Sequence, residues 1–220
     1  MNSDSKFEGG SQWTPEIAFR WLNTYGEIDI SSHLFLGYAK QPSIDVRIID
    51  GVTNYGAAYQ RIRQIGGTIQ KTAGPTLYKL ELIGRDGQRD SKLRRTDFLA
   101  SVIGLEHTMY RVLGDNGDLG FVLEYNFDSR RSRSGELLQD DLFVATKFSL
   151  NDNLNTEISL SSIFDLDGDG QTYQLDFGKR INDSLTYNIK GAVYQNGRSG
   201  STLYILRQDS WLELEMKYYF

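Results

Sequence analysis

From Leu212 to Phe220 the chain alternates strictly between apolar and polar residues. Leu212, Leu214, Met216, Tyr218 and Phe220 fall on one side of an extended strand, and Glu213, Glu215, Lys217 and Tyr219 fall on the other. Successive side chains of a strand point to opposite faces, so this segment predicts a strand with an apolar and a charged face. The same rhythm recurs upstream. Leu185, Tyr187, Ile189 and Val193 alternate with Thr186, Asn188, Lys190 and Tyr194, and Phe121, Leu123, Tyr125 and Phe127 with Val122, Glu124, Asn126 and Asp128. Similar runs surround Tyr78–Leu82, Leu142–Phe148, Ile158–Leu160, Tyr173–Phe177 and Ile28–Tyr38.

Read as strands, these runs number eleven: about 15–22, 27–39, 58–71, 75–86, 96–113, 119–129, 140–150, 155–164, 171–181, 184–195 and 208–220. Arg61, Arg63 and Arg111 break the alternation, which predicts bulges in the third and fifth strands. The connections alternate in length. Short turns fall at Asn23–Gly26, Thr72–Pro75, Gly114–Asp118, Asn151–Asn155 and Ile181–Ser184. Longer polar stretches fall at Lys40–Ala57, Asp86–Arg95, Ser129–Gln139, Asp165–Gly170 and Asn196–Arg207. Turns at one end and loops at the other characterise the periplasmic and extracellular ends of an outer-membrane barrel. A soluble sandwich has no reason to sort its connections in this way. The expected fold is therefore all-β: a transmembrane antiparallel up-and-down β-barrel with about 11–12 strands in residues 15–220, preceded by a disordered or partial-strand segment at 1–14.

Composition explains why hydropathy alone misses this architecture. Apolar residues make up 39% of the 220 and aromatics 12%, with a mean hydropathy of -0.44. No window approaches the roughly 18 consecutive apolar residues of a spanning helix. A barrel strand shows lipid only every second residue, so its apolar signal averages away. The net charge of -5 argues against a nucleic-acid partner. With no cysteine, thiolate chemistry is excluded. Residues 1–5 lack the apolar core of an export signal. Eleven strands is an odd number, whereas single-chain bacterial barrels normally have an even one. Both features predict a chain truncated at its amino terminus, destined for the bacterial outer membrane.

From about Thr14 onward the chain resembles the carboxy-terminal portion of a family of uncharacterised, porin-like outer-membrane β-barrel proteins of Gram-negative bacteria. The resemblance rests on Pro15-Glu-Ile-Ala-Phe-Arg20, Leu77-Tyr-Lys-Leu-Glu81, Gly104-Leu-Glu-His-Thr108, Asp118-Leu-Gly-Phe-Val-Leu-Glu-Tyr125, Asp140-Asp-Leu-Phe-Val144, Leu150-Asn-Asp152, Asp209-Ser-Trp-Leu-Glu-Leu-Glu215 and Tyr218-Tyr-Phe220. It implies a barrel, an outer-membrane location and members longer at the amino terminus. It brings no activity or substrate. The terminal row Leu212, Leu214, Met216, Tyr218 and Phe220 also resembles the signature read by the barrel-assembly machinery.

Candidate chemistry is sparse. The polar row predicts a lumen lined by Lys79, Glu81, Glu124, Asp141, Lys147, Glu157, Asp176, Arg180, Lys190, Glu213, Glu215 and Lys217. Such mixed charge suits either a water-filled pore or a salt-bridged plug. Asp165-Leu-Asp-Gly-Asp-Gly170 matches the first half of a calcium loop, making Asp165, Asp167 and Asp169 weak metal candidates. The same residues suit a hairpin turn. His33 and His107 are the only imidazoles. Each has its immediate neighbour on the opposite face, and Ser31, which shares a face with His33, lies roughly 7 Å away. The expectation is a non-enzyme with no cofactor: a passive channel or transporter, or alternatively a barrel that binds lipopolysaccharide or a partner through arginine-rich loops. Arg130, Arg131 and Arg133, with Arg85, Arg89, Arg94 and Arg95, supply those loop cations.

Overall fold

In the computed structural model, residues 14–220 are described except for 91, 114–115, 134–137 and 200. The segment expected to be disordered or a partial strand, 1–14, thus lies outside the described residues up to Thr14, as does part of the predicted turn at Gly114–Asp118.

The chain is all-β. Its strands are β1 (Ile17–Tyr25), β2 (Ile28–Tyr38), β3 (Ser43–Ile49), β4 (Val52–Ala58), β5 (Arg61–Ala73), β6 (Thr76–Arg89), β7 (Arg95–Leu113), β8 (Gly117–Asp128), β9 (Asp140–Ser149), β10 (Glu157–Asp165), β11 (Gly170–Asn182), β12 (Leu185–Asn196) and β13 (Trp211–Tyr218). A short helix, α1 (Thr202–Leu206), follows β12. Eleven strands form one antiparallel up-and-down sheet in the order β1-β2-β5-β6-β7-β8-β9-β10-β11-β12-β13. These are the eleven runs predicted by alternation, in chain order.

Among the described residues the sheet does not close on itself: β1 and β13 are its two edges. Both strands leave the long-loop end and run toward the short-turn end. They are parallel to each other, so antiparallel closure needs one further strand between them, and direct closure needs a parallel seam.

β3 and β4 form a separate hairpin inside the predicted Lys40–Ala57 loop. Its turn is Asp50-Gly51, both with positive φ (51° and 78°), as the tight turn joining twisted strands demands. Asp165–Gly170, expected to be long, is instead a tight turn with Asp169 at φ 59°.

The register assigns every side chain to a face, because residues directly opposite on neighbouring strands point the same way. One face carries Phe19 and Trp21 of β1, Ile65 and Ile69 of β5, Leu80 and Leu82 of β6, and Leu99, Ile103 and Leu105 of β7. It continues through Leu123, Val144, Leu160, Leu175, Ile189 and Val193 to Leu212, Leu214 and Met216. No charged side chain interrupts this belt. The charges of the same face, Arg61, Arg63, Lys71, Asp86, Asp97, Asp140 and Lys179, all sit at strand ends. Along β6 the belt runs from Tyr78 to Gly84, ~20 Å at ~3.4 Å per residue.

Arg61 and Arg63 therefore need no bulge: β5 pairs evenly with β2 from Arg61 to Lys71. The irregularity falls across the ladder instead, between Arg85 and Gln88 of β6, where Gly87 has φ 94°. The bulge predicted at Arg111 is present. Register shifts between Met109 and Leu113, and Arg111 sits at φ 59°.

Candidate functional site

The opposite face is polar. All twelve charged residues predicted to line a lumen share it: Lys79, Glu81, Glu124, Asp141, Lys147, Glu157, Asp176, Arg180, Lys190, Glu213, Glu215 and Lys217. Several form ladders across strands. Lys79 of β6 bridges Glu106 of β7 at 2.5 Å and Glu124 of β8 at 2.7 Å. Gly104 lies between them, where an added Cβ would press on both the Lys79 and the Glu124 side chains. Lys147 meets Glu157 at 2.8 Å and Lys190 approaches Asp176 at 4.0 Å across strands, while Lys217 meets Glu215 of its own strand at 3.0 Å.

Toward the long-loop end this face is covered. Arg130, just past β8, turns inward and is only 5% exposed. Its Nε donates to Asp128 Oδ1 at 3.0 Å and its Nη2 also donates to Asp128. Its guanidinium carbon lies 3.6 Å from the centre of the Phe98 ring on β7. Arg85 of β6 approaches the same ring at 5.5 Å and donates to the side chains of Gln64 and Gln88. Since the Gln64 carbonyl oxygen is taken by Arg85, its amide nitrogen donates to His33 Nε2 at 2.9 Å. His33 is thereby packed over Gly66, where any Cβ would collide with the imidazole.

Beside this wall lies a cavity of about 580 Å³, lined by His33, Arg85, Phe98, Asn126, Asp128 and Arg130 among others. Two of its donors, Arg130 Nη1 and Asn126 Nδ2, are buried without a hydrogen-bond acceptor. Asp141 stands directly opposite Asn126. It is fully buried, its Oδ2 accepting from the Gln139 and Asp140 amides while its Oδ1 is unmet. Asp141 shares the polar face but is fully buried rather than exposed along it.

Three further expectations change. Arg130 and Arg85 face inward rather than outward. Arg131 bonds Asp140 at 3.0 Å and Asp167 at 3.3 Å, Arg94 bonds Asp90 at 3.0 Å, and Arg95 lies 3.7 Å from Asp86. These three loop arginines are held by carboxylates of the protein itself, while Arg133 donates to the Arg130 carbonyl. The calcium candidates also diverge. Asp165 is buried and turns Oδ1 onto the Asp167 and Gly168 amides at 3.0 and 2.6 Å, fixing the tight turn. Asp167 faces Arg131 and Asp169 faces Arg198. Among the described residues no three carboxylates or imidazoles converge on a metal position.

The histidines are separated by the sheet. His33 is on the polar face, and Ser31 on that face bonds Thr68 at 2.8 Å instead. His107 is on the apolar face with Nδ1 on the Thr76 hydroxyl at 2.8 Å, while Glu106 points to the other side. Alternation could not reveal Asn126, Phe98 and Arg130 as a group, because a loop brings Arg130 onto the sheet. The terminal row Leu212, Leu214, Met216, Tyr218 and Phe220 is exposed along the edge strand and just past its end.

No family profile, curated protein or solved structure matches the chain.

Proposed function

We propose that this sheet forms most of an outer-membrane β-barrel whose polar face encloses a narrow, charge-lined passage for small hydrophilic solutes. The observation that carries the reading is the division of faces: a mainly apolar belt that no charged side chain interrupts on one side of the sheet, and cross-strand charge ladders on the other. In water such a belt is an exposed apolar surface far larger than soluble monomers present. In a bilayer it is the lipid-facing band, and the charged strand ends meet the headgroups.

Lipid also dictates closure. Hydrocarbon offers no hydrogen bonds, so the free backbone groups of β1 and β13 must be paired, through a further strand or a seam. The resemblance to porin-like outer-membrane proteins points the same way, and the exposed row ending in Phe220 is what the assembly machinery would engage. The inward loop at Arg130 narrows the passage at its outer end, as constriction loops do in general terms of pore physics.

A surface-interaction role through the arginine-rich loops draws no support from the geometry, since Arg94, Arg95, Arg130 and Arg131 already hold acidic partners. Reconstitution of the purified protein into planar bilayers tests the proposal. Discrete, repeatable conductance steps are expected. Protein that inserts and folds yet never conducts removes the passage from the account.

A further inference from the structure

We infer that the cavity over the polar face of β5–β8 binds a small solute through an oxyanion group, a carboxylate or a phosphate. The inference rests on that face being the water-filled side, and it does not require that solute pass through.

Two buried donors at this cavity have no acceptor among the described residues. Arg130 Nη1 and Asn126 Nδ2 lack acceptors, both residues are more than nine-tenths buried, and both line the same cavity of about 580 Å³. Buried donors are ordinarily satisfied, and each exception asks for a partner outside the protein. Arg130 is also held rigidly. Asp128 takes Nε and Nη2, and the Phe98 ring supports the guanidinium plane. The remaining edge of the fork is thus fixed in direction before any ligand arrives, which lowers the cost of binding.

Donor geometry, not net charge, selects the ligand, because the lining carries two guanidiniums and two carboxylates. Arg85 and Arg130 bring two guanidiniums to the cavity, and the Asp128 carboxylate is already engaged by Arg130. Glu81 is the other acid of the lining. The planar, outward-facing N–H groups of a guanidinium match the oxygens of a carboxylate or phosphate. Asn126 contributes a neutral donor.

Isothermal titration of the full chain in detergent micelles tests this without a bilayer. Failure to conduct therefore leaves the binding result standing, and the converse holds. The probes are succinate, inorganic phosphate and, as a neutral control, glucose. Saturable binding of succinate or phosphate is expected, with glucose silent. The anion that binds identifies the source of the oxyanion. Arg130→Lys keeps the charge beside Asp128 but removes the planar fork, and binding should weaken about tenfold or more, as expected for one charge-assisted hydrogen bond. Asn126→Ala should weaken it severalfold, and it carries the test if Arg130→Lys loses its β-sheet circular dichroism. Absence of saturable binding for both anions, glucose binding as well as they do, or unchanged affinity in the folded variants overturns the inference.

Discussion

Arg130 sets its guanidinium carbon 3.6 Å from the centre of the Phe98 ring while its Nε and Nη2 donate to Asp128, two residues earlier in the chain. The ion pair has side-chain exposures of 5% and 6%, so neither charge is solvated. A buried pair adds little over an apolar replacement, but removing one member strands the other.

Arg130→Ala is accordingly expected to destabilise the folded protein by about 3–5 kcal/mol, because Asp128 is left buried and uncompensated. Asp128→Asn combined with Arg130→Met should recover most of that loss. Urea unfolding in detergent, followed by tryptophan fluorescence, measures both. Equal stability of the single and double variants would show that the pair is solvated.

The division of faces makes neighbouring residues behave differently. Leu160 lies in the middle of the apolar belt and Ser161 on the polar face beside it. Leu160→Arg should cost about 2–4 kcal/mol when folding is measured in bilayers, the penalty for arginine at the membrane midplane. Ser161→Arg should cost well under that and change ion selectivity instead. Matching costs for the two would contradict the face assignment.

Much of this arrangement is legible in the sequence, and the reasons are particular. Period-two alternation at Leu212–Met216 and Leu185–Val193 reports the face of these residues, because the two faces of the sheet impose opposite demands on adjacent positions. The β3–β4 hairpin, which the reading of Lys40–Ala57 as a polar loop misses, also carries a sequence signal. Ile44, Val46 and Ile48 alternate ahead of Asp50-Gly51, a turn signal hidden inside what composition marks as a polar loop. The cavity was not readable. Its character depends on Arg130 folding back onto Phe98, more than 30 residues away in sequence, and alternation carries no information about where a loop lands. Arg61 and Arg63 misled for a different reason. They sit on the apolar face, but at its rim, where charge is tolerated.

Lys79 is the hub of the inner ladder, held by Glu106 and Glu124. Lys79→Gln leaves two carboxylates on the polar face, the lining of the proposed passage, without their cation. Reversal potentials under a salt gradient should shift toward greater cation selectivity. A shift toward anions, or none, would place Lys79 away from the conducting path.

At the short-turn end, Asp152 accepts hydrogen bonds from the Thr156 amide and hydroxyl, each at 2.8 Å. Those bonds to the charged form, the amide first, hold its carboxyl below the ordinary aspartate range. A depressed folded value means that the stabilisation is complete above the unfolded pKa and disappears as pH falls through the folded one. Asp152→Asn should therefore lower stability at neutral pH, with the difference from the parent shrinking in acid below about pH 4. Unfolding midpoints across pH check this. A difference that stays constant into acid would rule out the carboxylate's role.

The most direct test is a cysteine scan of β13, residue by residue from Leu212 to Lys217, with a fluorophore at each position in reconstituted vesicles. Quenching by nitroxide-labelled lipid should be strong at 212, 214 and 216 and weak at 213, 215 and 217, with the aqueous quencher iodide giving the reverse. Uniform quenching by iodide alone, or a protein that stays folded and monomeric in buffer without detergent, would contradict a lipid-facing belt.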